Sequence, residues 1–134
     1  MIGVVLFYPQ RHYNKHMRIL VVHEPVSEET LKALAKEWHI SLVKGVADIK
    51  TGLVALGGEW HMDANSRLIE EGSEQQNLWG FNIYPKEHGD AAIEYNSLIN
   101  IRPTQGNRSM EIMDEKTRKA VRRTVSSAIP FLGL

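Results

Sequence analysis

Residues 42–58 read LVKGVADIKTGLVALGG, which is two apolar runs separated by a short turn. Both runs are rich in valine and leucine, a composition typical of buried strands, and Lys50-Thr51-Gly52 stands between them. Gly52 suits the positive φ that a tight hairpin turn requires. We therefore expect residues 42–49 and 53–58 to form an antiparallel pair of strands.

The patterns on either side of this hairpin predict the element order β-α-β-β-α-β-β-α. Further strands are expected at residues 19–22, 78–84 and 93–102. Each of three expected helices follows a residue type that caps helix N-termini, namely Ser27, Asp63 and Asp114. Gly72 and Pro130 are expected to end the second and third helices. Interleaved hairpins and helices indicate an α+β domain with a mixed, mainly antiparallel sheet covered by helices on one face.

The composition limits the class of protein. The 134 residues fit one domain, and hydrophobic residues at 43% with charged residues at 24% are ordinary for a globular protein. The formal net charge is zero, so no global field would recruit nucleic acid or an anionic membrane. The chain has no cysteine, which excludes disulfides, thiolate zinc sites and a cysteine nucleophile.

The sequence predicts a peripheral N-terminal extension at residues 1–16 and a single domain at residues 17–134. The apolar run at residues 4–8 lacks the flanking charge, the length and the cleavage site of a signal peptide. No run approaches the ~20 apolar residues that a membrane helix needs. We therefore expect a cytoplasmic protein with no membrane partner.

Three ionisable residues alternate directly after the first hairpin. If the chain stays extended there, Glu59, His61 and Asp63 leave it on one side. Such a group would suit half of a metal site, or a histidine base oriented by a carboxylate. The alternative is that Asp63 caps the following helix while Glu59 and His61 are surface residues. The sequence does not settle whether a metal binds.

Polar residues also interrupt the second predicted hairpin. In a strand, Asn100 and Arg102 would share a face with Leu98, and Asn82 lies in the neighbouring strand. Asparagine is disfavoured inside strands, so something must hydrogen-bond these amides. One interpretation is the polar floor of a pocket for an anion or an amide-rich ligand. The other is an internal network without a ligand.

The loop after Pro103 adds further hydrogen-bond donors, among them Gln105, Asn107 and Arg108. Guanidinium and backbone N–H groups on such a loop would bind phosphate or carboxylate. It is not a Walker A loop, because no Gly-Lys-Ser/Thr closes it.

The last helix is basic opposite its apolar stripe. Its cations would position the phosphates of RNA or DNA, although a solvated helix face explains them as well. Neighbouring acidic residues dilute this patch. The cations are Lys116, Arg118, Lys119, Arg122 and Arg123.

Four segments together resemble a known family. They are residues 43–48 (VKGVAD), 57–63 (GGEWHMD), 78–85 (LWGFNIYP) and 99–109 (INIRPTQGNRS). The chain resembles, from about Met17 to the last helix, a family of small prokaryotic proteins known only as a domain of unknown function. The resemblance implies that these positions form a surface shared by the family. It implies no activity, and residues 1–16 lie outside it.

The leading hypothesis is one polar pocket for an anionic small molecule or a nucleotide. If the protein is an enzyme, His61 would act as general base and the arginines would stabilise developing negative charge, as hydrolysis or phosphoryl transfer requires. The alternatives are a noncatalytic module that binds RNA or a protein, and a structural homo-oligomer whose Asn/Arg network is internal. The sequence leaves the cofactor, if there is one, unknown. The expected pocket residues are Glu59, His61, Asp63, Asn82, Asn100, Arg102, Gln105, Asn107 and Arg108.

Overall fold

The computed structural model describes residues 18–38 and 41–134, and its elements follow the predicted order. The α+β class is therefore confirmed. The extension expected at residues 1–16 lies outside the described residues. The strands are β1 (Ile19–Val22), β2 (Val43–Asp48), β3 (Val54–Gly57), β4 (Leu78–Ile83) and β5 (Ile93–Glu94). The helices are α1 (Glu28–Trp38), α2 (His61–Glu70) and α3 (Glu115–Ala128).

The described strands form one sheet in the order β1-β3-β2-β4-β5, and each neighbouring pair among them is antiparallel. The predicted hairpin of β2 and β3 is confirmed, with Val46 opposite Ala55 and Gly52 at φ +84° in the turn. The buried Asp48 carboxylate holds this turn by accepting hydrogen bonds from the backbone N–H groups of Lys50 and Thr51.

The sheet carries helices on both faces, so the expectation of helices on one face was wrong. On one face, α1 and α3 pack on alternate strand residues such as Val43 and Leu56. On the other face, α2 packs on the intervening residues Val46, Ala55 and Leu78. Successive side chains of a strand point to opposite faces, so the two clusters lie on opposite sides of the sheet. The nearly continuous burial of β2 follows from this double cover.

The helix ends largely follow the predicted signals. Asp114 caps α3, because its carboxylate accepts the Thr117 N–H at 2.9 Å. Ser27 does the same at the start of α1 through the Thr30 N–H at 3.1 Å. Gly72 ends α2, where the Ser73 N–H reaches back to the Leu68 carbonyl at 2.9 Å.

The start of α2 differs from the prediction. Asp63 was expected to precede the helix, but α2 begins at His61 and Asp63 lies in its first turn. The Asp63 carboxylate reaches back to accept the backbone N–H groups of Glu59 (3.1 Å) and Trp60 (2.9 Å). Trp60 is thus the N-cap residue. Its indole has no acceptor, so only the Asp63 half of a capping box is present.

The strand predicted at residues 93–102 was wrong beyond Glu94. After β5 the chain makes an isolated bridge between Asn96 and Glu111 and a 3₁₀ turn at Leu98–Asn100. Leu98 is 67% exposed and Asn100 is fully buried, so the two do not share a face as they would in a strand. We call residues 95–113 the β4-edge segment, because it runs along the edge of β4 beyond β5.

Side chains of the β4-edge segment form hydrogen bonds with β4 that the backbone of a neighbouring strand would otherwise form. Asn100 Oδ1 accepts the Gly80 N–H at 2.8 Å, and Asn100 Nδ2 donates to the Gly80 carbonyl at 3.1 Å. Arg102 Nη2 donates to the Leu78 carbonyl. A primary amide thereby satisfies both backbone groups of Gly80, as a neighbouring strand residue would.

Candidate functional site

A cavity of about 640 Å³ opens on the α2 face of the sheet. We call it the main cavity. It lies between the N-terminus of α2 and the β4-edge segment, and the β2, β4 and β5 strands form its floor. Its lining residues are Leu42, Lys44, Trp60, His61, Met62, Asn82, Tyr84, Glu94, Asn96, Ser97, Leu98, Ile99 and Met110.

The floor is one row of polar side chains across three strands. Lys44 of β2 lies opposite Asn82 of β4, and Asn82 lies opposite Glu94 of β5. Residues that oppose each other in an antiparallel sheet present their side chains on the same face. The row therefore places an ammonium, an amide and a carboxylate side by side at the bottom of the main cavity.

The amide of Asn82 is only partly satisfied. Its Nδ2 donates to Glu94 Oε1 at 3.3 Å and to the Asn96 carbonyl at 3.2 Å, and these two acceptors fix which end of the amide is the nitrogen. Its Oδ1 is buried and accepts no well-formed hydrogen bond from the described residues, although the Asn82 side chain interacts with the His61 imidazole. A buried acceptor without a donor costs about 1–3 kcal/mol, so a donor brought here would bind favourably.

Tyr84 and Glu94 form a hydrogen-bonded pair beside this row. The Tyr84 hydroxyl donates to Glu94 Oε1 at 2.7 Å. That hydrogen bond, together with burial and the Glu94 charge, raises the pKa of Tyr84 to about 12. Tyr84 therefore stays protonated at neutral pH and holds the Glu94 carboxylate in place.

His61 stands at the first position of α2 and reaches the sheet. Its Nε2 lies 2.9 Å from the Phe81 carbonyl, a contact that requires a proton on this nitrogen. Burial lowers the pKa of His61 below its ordinary value, and the Lys44 charge lowers it further. The hydrogen bond to the Phe81 carbonyl and the interaction with the Asn82 side chain act in the opposite direction. His61 is therefore neutral at pH 7, with an unprotonated Nδ1.

The rim of the main cavity is apolar and open to solvent. Trp60 is 60% exposed, Met62 51% and Leu98 67%. Large apolar side chains grouped around a polar floor are characteristic of sites that bind other molecules. The arrangement suits a ligand with an apolar body and a polar end.

Of the residues predicted from the sequence, His61 and Asn82 line the main cavity. Glu59 and Asp63 do not line it, and the Asp63 carboxylate is held by the backbone at the start of α2. Within residues 18–38 and 41–134, no three His, Asp or Glu side chains are grouped so as to hold a metal ion.

Asn100 and Asn107 are buried inside the β4-edge segment. The two N–H groups of Asn107 Nδ2 are shared among the carbonyls of Asn100 (2.8 Å), Ser109 (2.9 Å) and Glu111 (2.9 Å). Its Oδ1 accepts the Met113 N–H at 2.9 Å. Both amides therefore hold backbone groups together, which is the internal network that the sequence left as an alternative.

The remaining predicted residues do not line the main cavity. Arg102 Nη1 donates to the Gln75 carbonyl at 2.7 Å, and its guanidinium stacks 3.8 Å from the centre of the Trp79 ring. Gln105 donates to the Gln76 carbonyl at 3.0 Å, and Arg108 is exposed. The structure therefore does not gather these residues with His61 and Asn82.

Sequence reasoning missed Tyr84, Glu94 and the apolar rim. The available signal was the spacing of polar residues in the strands: Lys44 and Asn82 each alternate with apolar neighbours, which places them on one face. The register that brings Glu94 beside them is set by tertiary structure. The exposure of Leu98 was hidden by the incorrect strand prediction.

Comparison with known proteins gives one match. A family model described as "Protein of unknown function (DUF5674)" matches residues 20–128. No curated protein and no solved structure matches the chain. In the part of the chain that the structure describes, the helices are all too short or too polar to cross a membrane.

Proposed function

We propose that this chain, which belongs to the DUF5674 family of unknown function, binds a small amphipathic molecule in the main cavity. The apolar body of the ligand rests on the rim, and its polar end meets the row Lys44, Asn82 and Glu94. The observation that carries this proposal is the buried Asn82 Oδ1, which has no well-formed hydrogen bond from a donor among the described residues. A ligand N–H or O–H would supply that donor.

The floor also favours one charge arrangement in the ligand. Lys44 provides a positive charge near Asn82, while Glu94 accepts hydrogen bonds from Tyr84 and Asn82. An acidic group would bind towards Lys44 and a neutral or cationic donor towards Asn82 and Glu94. This retains the anionic ligand expected from the sequence, with Lys44 in place of the distant arginines.

The first experiment tests the apolar rim. The probe is 1-anilinonaphthalene-8-sulfonate, an amphipathic anion whose fluorescence rises on binding, titrated into the folded full chain. Met62→Ala should weaken binding about tenfold, because covering an exposed methionine contributes roughly 1–2 kcal/mol. Met113→Ala is the matched control, since Met113 is also exposed, at 59%, but does not line the main cavity. Equal losses in both variants would overturn the proposal.

The second experiment tests the polar end. The probes are 2-naphthol and 2-methoxynaphthalene, which have the same ring system but differ in the O–H donor. The folded protein should prefer 2-naphthol about fivefold, and Asn82→Ala should remove that preference. A preference that survives in Asn82→Ala would show that Asn82 is not the acceptor.

The other hypotheses give different results in the same experiments. A homo-oligomer that covers the rim predicts that Met62→Ala and Leu98→Ala change the mass in solution rather than the affinity for the probe. Hydrolysis with His61 as base predicts turnover of an ester probe that His61→Gln abolishes. An RNA-binding module predicts a salt-dependent affinity for RNA that competes with the naphthalene probe.

A further inference from the structure

A second cavity lies on the opposite face of the sheet. It has a volume of about 310 Å³ and is lined by Asp90, Ile93, Tyr95, Glu115, Arg118, Lys119 and Arg122. We call it the α3 cavity. It shares no lining residue with the main cavity. Three of its side chains are cations on one face of α3.

The two arginines are held in position by existing contacts. Arg118 donates through Nε (3.2 Å) and Nη2 (2.6 Å) to the Ile112 carbonyl, and its guanidinium lies 5.6 Å from the centre of the Tyr95 ring. Arg122 Nη1 donates to Asp90 Oδ1 at 2.6 Å. Each of these contacts uses part of a guanidinium, so further N–H groups remain to meet a ligand.

Tyr95 gives an independent indication of a ligand. Its hydroxyl oxygen is buried in the α3 cavity, where the Arg122 guanidinium interacts with it, but no residue described accepts its proton in a well-formed hydrogen bond. The hydroxyl proton therefore lacks an acceptor beside two guanidinium groups. An anionic oxygen could accept hydrogen bonds from both the hydroxyl and the guanidinium groups.

The acidic neighbours select the kind of anion. Asp90, whose side chain is 89% exposed, already pairs with Arg122, and Glu115 lies 4.0 Å from Lys119. An incoming anion must compete with these carboxylates. A phosphate carries up to two charges and several acceptor oxygens, so it competes better than a carboxylate of single charge. We propose that the α3 cavity binds a phosphate group, either free or as the monoester of a small molecule.

The experiment titrates the folded full chain with inorganic phosphate and with methyl phosphate, and follows binding by NMR at constant ionic strength set with chloride. Tyr95→Phe removes only the hydroxyl and should weaken phosphate binding about tenfold, as expected for a hydrogen bond to a charged group. Tighter binding of inorganic phosphate would indicate the free ion as the ligand, and tighter binding of methyl phosphate would indicate a monoester.

Two double variants separate a local site from general attraction to a basic helix. Lys119→Gln with Arg122→Gln removes two charges that line the α3 cavity. Lys116→Gln with Arg123→Gln removes two charges from the same helix that do not line it. The first pair should abolish binding, and the second should change it less than about threefold, as expected for screened surface charges.

Folding of each variant is checked by its amide spectrum before phosphate is added. Equal weakening by both double variants would overturn the proposal, as would unchanged binding in Tyr95→Phe. A third result would also overturn it. In that result the protein binds a short RNA but neither phosphate probe, and both double variants weaken RNA binding equally, which indicates a diffuse charge effect.

Discussion

Gly80 lies directly against Ser97. A Cβ atom placed on Gly80 would stand 2.5 Å from the Ser97 Cβ and 2.7 Å from its Oγ. Packed carbon atoms do not approach so closely, so the missing side chain at Gly80 determines how near the β4-edge segment comes to β4. Ser97 lines the main cavity, so this contact also determines the width of the cavity.

We expect Gly80→Ala to lower the free energy of unfolding by about 1–3 kcal/mol, because the added methyl group forces the β4-edge segment outwards. Ser97→Gly removes the two closest atoms that the methyl group would meet and leaves Ile99 Cγ1 at 3.2 Å. In a double-mutant cycle measured by urea unfolding, the second substitution should therefore recover part of the loss. Purely additive effects would contradict this account.

Asn100→Ala should lower the free energy of unfolding by about 3 kcal/mol or more. The variant leaves the buried N–H and carbonyl of Gly80 without their Asn100 partners. Arg108→Ala, at an exposed position of the same segment, should stay within about 0.5 kcal/mol of the parent. Thermal and urea unfolding measure both, and similar values for the two would disprove an architectural role for Asn100.

Arg102→Lys should lose most of the stability that Arg102→Ala loses, about 1–3 kcal/mol. The guanidinium reaches the carbonyls of Gln75 and Leu78 while stacking on Trp79, and a single ammonium cannot do this. The measurement is urea unfolding of the two variants. Full retention of stability in Arg102→Lys would mean that only the positive charge matters.

His61 should make stability depend on pH. Burial lowers its pKa in the folded chain below the ordinary value of 6.5, so the unfolded chain binds this proton first as the pH falls. The contribution of neutral His61 to the free energy of unfolding is complete above pH 6.5. It declines as the pH falls below 6.5 towards the lower pKa that His61 has in the folded chain. Urea unfolding between about pH 7.5 and about pH 5.5 should show a slope that is smaller in His61→Gln.

The control for this slope is His88→Gln, because His88 is exposed. This variant measures how far the loss of an exposed histidine alone changes the slope. If His61→Gln and the parent follow the same curve, burial of neutral His61 does not contribute to stability.

Local sequence signals were sufficient for most of the architecture. The hairpin glycine and the caps of α1 and α3 act within a few residues, so their chemistry is visible in the sequence. The face on which α2 packs was not visible, because it depends on which strands neighbour each other. Nearly continuous burial of Val43–Asp48 is the feature that two covered faces require.

The candidate site was harder to predict than the fold. Alternation of apolar and polar residues at positions 98–102 is typical of a strand, yet Asn100 is buried because its amide binds Gly80, twenty residues earlier in the chain. Periodicity reports which side chains prefer water, and an amide fully satisfied by backbone groups no longer does. The residues that line the main cavity come together through strand register, which no short motif records.

The amide of Asn100 also covers an open edge of the sheet. Beyond β5, the N–H and carbonyl of Gly80 lie on an edge of β4 where another chain could add a strand. Asn100 occupies both groups, and Arg102 covers the Leu78 carbonyl on the same edge. These two side chains thus occupy edge groups that an unprotected strand would offer for intermolecular β-pairing, without lengthening the sheet.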